Sequence, residues 1–126
     1  MENLTVLVVD DDYDCRLALR LILERRGVLV IEASGGAEAA EVARRECPQL
    51  IFMDLLMPEV DGRLAARMIR EAEGECDKSV IIAYSALADP RMRAESMEGG
   101  FFDRYIDKGL LYNELDGLLR HFRPTW

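Results

Sequence analysis

The sequence predicts an α/β fold, a doubly wound parallel sheet of five strands with five helices. Two observations carry this. Apolar runs of strand length alternate with segments of helical period, and no repeat or internal linker interrupts them. Such alternation buries each strand on both faces and joins parallel neighbours through helical crossovers. The apolar runs also end alike. Asp10–Asp12, Asp54, Ser85 and Lys108 stand at or just after a strand's C-terminal end. Right-handed crossovers place these ends along one edge, where open α/β sheets bind ligands.

The first strand is Thr5–Val9. "DCRLALRLILERRG" follows as a helix, with Leu17, Ala18, Leu21 and Ile22 on its apolar face, Arg16, Arg20 and Glu24 opposite, and Gly27 at its C′ position. "VLVIEA" is the second strand. In "GGAEAAEVARRE", Ala39, Ala40 and Ala43 share a face small enough to lie close to a sheet, and Pro48 ends the region. "LIFMD" is the third strand. "GRLAARMIREAE" is a helix buried through Ala65, Met68 and Ile69, and "SVIIAYSA" is the fourth strand. Asp89 reads as an N-cap with Pro90 at N1. The helix after it has only Met92, Ala94 and Met97 to bury, and is the least well specified. "RYID" is the fifth strand. Asn113 is placed to cap the last helix, where Leu115, Leu118, Leu119 and Phe122 follow the i, i+3, i+4, i+7 pattern.

The 126 residues suit one domain, 1–126, with one core, and half of them are hydrophobic. Acids outnumber bases 24 to 16, a net charge of −8, which disfavours a nucleic-acid surface and suits a cationic partner or a metal. No apolar stretch reaches the roughly 18–20 residues of a membrane span, and "MENLTVLVVDDD" lacks a secretory signal. Cys15, Cys47 and Cys76 are odd in number and lack metal-ligand spacing. They read as reduced thiols of a cytoplasmic protein.

The acids at the first strand's mouth demand a countercharge. Two carboxylates roughly 4 Å apart repel by about 4 kcal/mol at an effective dielectric near 20. Mg²⁺ suits the carboxylates gathered at this edge, Asp10–Asp12 and Asp54, being a hard cation that takes oxygen ligands and keeps several waters. A lysine and a hydroxyl at the same edge suit a phosphoryl group. An EF-hand is excluded because its loop glycine and terminal glutamate are missing. No glycine-rich phosphate loop follows the first strand, which disfavours a nucleotide fold. A solvated acidic turn accounts for "DDD" alone, but not for the joint pattern.

"VLVVDDD", "IFMDLLMPEVDG", "IIAYSA" and "YIDK" stand in the order and at the approximate spacings of one family. From about Thr5 to Phe122 the chain resembles the receiver domain of two-component response regulators, which includes the single-domain chemotaxis regulator. The resemblance implies a flavodoxin-like sheet of order 2-1-3-4-5. It implies that Asp54 is the phosphoacceptor, that Asp11, Asp54 and the Leu56 carbonyl ligate Mg²⁺, and that Asp10 acts through a water. It makes Lys108 the phosphate-pairing lysine, Ser85 the switch hydroxyl and Tyr105 the switch aromatic. Asp12 is then an exposed helix-initiating residue. The partners implied are a sensor histidine kinase or phosphotransfer protein and a downstream protein target, with a homodimer possible. The resemblance further implies a switch that assists its own phosphotransfer and dephosphorylation, not an enzyme acting on others. Two positions bear on lifetime: Leu56 and Leu87 stand where the family's side chains lie over the phosphoryl group, and leucines cannot orient a hydrolytic water.

The chain departs from the family in two places. Gly109 follows Lys108 where proline is usual, and a cis peptide without proline costs about 2.5–4 kcal/mol, so the family's cis bond is not implied. Phe101 and Phe102 replace small residues before the fifth strand, as extra core or as an exposed apolar patch. Met57-Pro58 and Asp61-Gly62 shape the loop after Asp54, and His121 is a surface residue. An unphosphorylated docking module would have lost an acid, the hydroxyl or the lysine, and none is lost. A phosphohydrolase with an aspartate nucleophile would want an acid two residues after Asp54, where Leu56 stands. These residues leave no room among them for an output domain.

Overall fold

The structure, a computed structural model, describes residues 4–72, 78–86 and 89–122, the side chain of residue 122 excepted. The strands are β1 (Thr5–Val9), β2 (Leu29–Ala33), β3 (Leu50–Asp54), β4 (Val80–Ser85) and β5 (Arg104–Asp107). The helices are α1 (Tyr13–Glu24), α2 (Gly36–Glu46), α3 (Gly62–Glu71), α4 (Pro90–Met97) and α5 (Leu111–Phe122), with a 3₁₀ turn at Glu98–Gly100. The five strands pair in parallel in the order β2-β1-β3-β4-β5. This is the flavodoxin-like order. The chain reverses direction of winding beside β1, so the ends of β1 and β3 form the crevice in which Asp10 and Asp54 meet.

Strand alternation divides the core in two. Leu7, Val9, Ile51, Met53, Ile81 and Ala83 face α2 and α3. Val6, Val8, Phe52, Ile82, Tyr84 and Ile106 face α1 and α5. The alanine face of α2 is as expected, with Ala39 and Ala43 buried together with Val42. Phe102 is buried and Phe101 packs against the same cluster, so the aromatic pair is extra core.

Several helix faces differ from the sequence expectation. In α1 the buried residues are Leu19 and Leu23, while Leu21 is exposed. The helix is rotated because Arg16 and Arg20 are drawn in toward Glu32 on β2, at 3.0 and 2.8 Å. In α3, Ala65, Ala66 and Ile69 are buried and Met68 is exposed. The two alanines let that helix sit on the sheet at a distance a methionine would prevent. Helix α4 buries only Ser96, and Met92 is exposed. Asn113 does not cap α5. The helix starts earlier, at Leu111, because Asp107 accepts a hydrogen bond from the Gly109 N–H at 2.8 Å and begins the turn. Leu111 then joins the core.

The cysteines also depart from expectation. Cys15 is a free thiol, but Cys47 is disulfide-bonded. Cys76 lies outside the described residues. Sequence spacing carries no through-space distance, so composition could not separate these states. No peptide among the described residues is cis, Lys108–Gly109 included.

Candidate functional site

The site is built where the strand ends meet. Asp10 directly follows β1 and is wholly buried. Its backbone N–H donates to the Ala33 carbonyl at 3.2 Å, which extends the β1–β2 ladder by one residue and fixes the carboxylate's direction. Asp11 is exposed at the rim. Asp12 caps α1, accepting hydrogen bonds from the Asp14 and Cys15 N–H groups at 2.9 and 3.4 Å. Those bonds stabilise its charge and hold its carboxyl below the usual carboxylate range. The helix-initiating reading of Asp12 thus fits its geometry.

Asp54 ends β3 and is 5 % exposed. Its Oδ1 accepts from the Leu56 N–H at 3.3 Å. The loop beyond turns back through Met57 and Pro58 to Asp61, whose side chain caps α3 by accepting from the Leu64 N–H at 2.8 Å. The Gly62 N–H donates to the Leu55 carbonyl at 3.0 Å, which ties the start of α3 to the end of β3. Lys108 is held across the sheet, its N–H donating to the Ser85 carbonyl at 2.9 Å. Its ammonium lies 3.0 Å from Asp10 Oδ2 and 3.4 Å from Asp54 Oδ2.

Carboxylate oxygens of Asp10, Asp11 and Asp54 lie within 4.8 Å of one another. Lys108 pairs with two of them, Asp10 and Asp54. Burial lifts the Asp54 carboxyl to about 6. Lys108 opposes that rise and Asp10 adds to it. Burial alone would lower the Lys108 ammonium, but Asp10 and Asp54 outweigh it and raise it. The site therefore holds surplus negative charge in partial isolation from water, a fit for a divalent cation.

The predicted residues Asp10, Asp11, Asp54 and Lys108 come together. Ser85 is buried at the end of β4, and Tyr105 is buried in β5 beneath the Arg93 guanidinium, 4.9 Å from the ring centroid. The Leu56 side chain is half-exposed at the mouth. Leu87 lies outside the described residues.

Sequence reasoning missed Tyr84. Its hydroxyl donates to Asp10 Oδ2 at 2.8 Å, and Lys108 Nζ lies 5.0 Å from its ring centroid. Burial raises the phenol far above its ordinary value, so it remains protonated and a donor. The available signal was one hydroxylated aromatic between the aliphatic run of β4 and Ser85 at its end.

Residues 6–120 match the response regulator receiver domain family. The chain belongs to that family. Among its curated relatives, an uncharacterized 14.6 kDa protein of Leptolyngbya boryana is 36% identical over 97% of this chain and 92% of its own length. The transcriptional regulatory protein SrrA of Staphylococcus aureus is 37% identical over 95% of this receiver domain, which spans only 49% of that protein. Among solved structures, the receiver domain of a sensor histidine kinase from Pseudomonas aeruginosa, with a magnesium ion coordinated in its active-site cleft, superposes with a TM-score of 0.85 at 27% identity, covering 96% of this chain and 98% of that one. Receiver domains thus occur both in regulators and within kinases. No helix among the described residues of this one is long and apolar enough to cross a membrane.

Proposed function

We propose that this receiver domain is the phosphoacceptor of a two-component phosphorelay, with residues 1–126 forming one such domain and Asp54 carrying the phosphoryl group. The observation that carries the reading is the placement of Asp54. It is buried at the end of β3 beside a second buried acid, with Lys108 within 3.4 Å. The donor is a phosphohistidine of a sensor histidine kinase or phosphotransfer protein. A carboxylate oxygen of Asp54 forms the new O–P bond as the P–N bond breaks, and the electron pair and a proton go to the leaving imidazole.

Asp11, Asp54 and the Leu56 carbonyl would hold Mg²⁺ directly, and Asp10 through a water. Mg²⁺ bound there would neutralise the carboxylates and the phosphoryl oxygens. Lys108 supplies the remaining positive charge where the transition state spreads its negative charge. The domain in this way assists its own phosphotransfer and dephosphorylation. Ser85 turning toward the acyl phosphate frees volume for Tyr105, which couples the site to the face of α4, β5 and α5. That face, with the poorly anchored α4, serves a downstream protein target or a second copy of the domain, not nucleic acid.

Incubation with Mg²⁺ and acetyl phosphate tests the reading. One added phosphate by mass spectrometry, mapped to Asp54, is expected. A label at another residue would refute the assignment.

The acyl phosphate is expected to decay slowly after the donor is removed. Hydrolysis needs a water held in line with the breaking bond, and neither Leu56 nor Leu87 can hydrogen-bond one. The double variant Leu56→Asn/Leu87→Glu should decay about tenfold faster, or about 1.4 kcal/mol in the barrier. Equal decay of variant and wild type would show that the leucines do not set the lifetime.

A further inference from the structure

We propose that Tyr84 is a positioning residue for phosphoryl transfer: its hydroxyl holds Asp10 so that Lys108 can leave Asp10 for the phosphoryl group on Asp54. The inference rests on Asp54 being the phosphoacceptor.

Tyr84 pairs in register with Asp54 across β3 and β4, and with Ile106 on the other side. It is 2 % exposed, and its ring stands edge-on to Phe52, with centroids 6.2 Å apart. The phenol therefore has one well-defined orientation. Its hydroxyl and the Lys108 ammonium converge on the same oxygen, Asp10 Oδ2, at 2.8 and 3.0 Å. The other oxygen, Oδ1, accepts from the Asp12 N–H at 2.9 Å. Before phosphorylation Lys108 thus rests nearer Asp10 than Asp54.

That resting place has a consequence for transfer. Lys108 must turn away from Asp10 to pair with a phosphoryl oxygen. Asp10 is wholly buried, and a buried carboxylate oxygen stripped of its donors carries a desolvation penalty. With the Tyr84 hydroxyl in place, Oδ2 keeps a donor when the lysine departs. Without it, Oδ2 would face the penalty alone, and the lysine would be held back on Asp10. The ring contributes separately. Lys108 Nζ is 5.0 Å from its centroid, so the ammonium moves over a face that attracts cations. Tyr84→Phe keeps that face and the core packing and removes only the hydroxyl.

The test compares wild type, Tyr84→Phe, Lys108→Met and the double variant. The phosphorylation rate with acetyl phosphate is measured at saturating Mg²⁺, and the Mg²⁺ dissociation constant by calorimetry. Tyr84→Phe should slow labelling about tenfold, or about 1.4 kcal/mol, with Mg²⁺ affinity unchanged within about twofold. In the Lys108→Met background the same change should slow labelling less than about twofold, since no ammonium remains to be released. Three results would overturn the role: a wild-type rate in Tyr84→Phe, an equal loss in both backgrounds, or a rate loss matched by lost Mg²⁺ affinity. Wild type that takes up no phosphate on Asp54 would instead overturn the phosphoacceptor reading, and this role with it.

Discussion

The Asp54→Asn variant is expected to melt above the wild type near neutral pH, to lose its response to Mg²⁺, and to take up no phosphate. Burial is the main cause that raises the Asp54 carboxyl to about 6, with Asp10 adding to it against Lys108. In an unfolded chain an aspartate titrates near about 3.9. Between these values the folded state binds more protons than the unfolded one. This group's contribution to stability therefore falls as pH rises from about 4 to about 6, and stays low above that. Roughly two pH units at about 1.4 kcal/mol each bound the effect at about 3 kcal/mol.

Asparagine at this position removes that pH dependence and leaves no charge unpaired, because Lys108 keeps Asp10 at 3.0 Å. The melting temperature should rise by about 5–10 °C near neutral pH, and the two proteins should melt together near about pH 4. Mg²⁺ should stabilise the wild type by mass action and leave the variant unchanged. Melting curves with and without Mg²⁺ across this range decide the matter. The same pH dependence in both proteins would show that Asp54 is not the strained group.

Gly62→Ala is expected to destabilise the domain by about 3 kcal/mol and to slow labelling at Asp54. A Cβ built on Gly62 would lie 2.1 Å from the Asp54 carbonyl oxygen and 2.9 Å from the Asp54 carbonyl carbon and the Leu55 Cα. All three are backbone atoms, so no side-chain rotation relieves the clash. The start of α3 must move off the end of β3. That strains the Gly62 N–H bond to the Leu55 carbonyl, 3.0 Å long in the native protein, and shifts Asp54 itself. Overpacking of this kind costs about 1–3 kcal/mol, and more where backbone must move. Gly35→Ala is the control, since a Cβ there meets nothing within 4 Å and φ is −164°. Urea unfolding should separate the pair by more than about 2 kcal/mol. Comparable stabilities would show that the β3–α3 contact yields freely.

Much of the fold was legible in the chain because its strands are local patterns. Thr5–Val9, Leu50–Asp54 and Arg104–Asp107 are strands over the expected residues, and Asp89 with Pro90 opens α4. Each rests on a short apolar run or a cap whose chemistry acts within a few residues. The faces of α1 and α3 were less legible. Leu21 and Met68 match the helical period, but period fixes only which residues share a face. Rotation about the axis is set by what the sheet offers, here Glu32 for the arginines of α1 and a close approach for the alanines of α3.

At the site the division is the same. Residue types and order marked Asp10–Asp12, Asp54, Ser85 and Lys108 as one constellation, because alternating strands and right-handed crossovers put successive strand ends on one edge. Only the tertiary structure decided how the charges are shared. Lys108 rests nearer Asp10 than Asp54, and Tyr84 brings a hydroxyl donor to Asp10 from the strand beside β3. Likewise Cys47 is disulfide-bonded while Cys15 remains free. The contacts of Asp10 with Tyr84 and Lys108 join residues tens of positions apart, and their distances are set by strand register and helix packing, which no local pattern in the chain encodes.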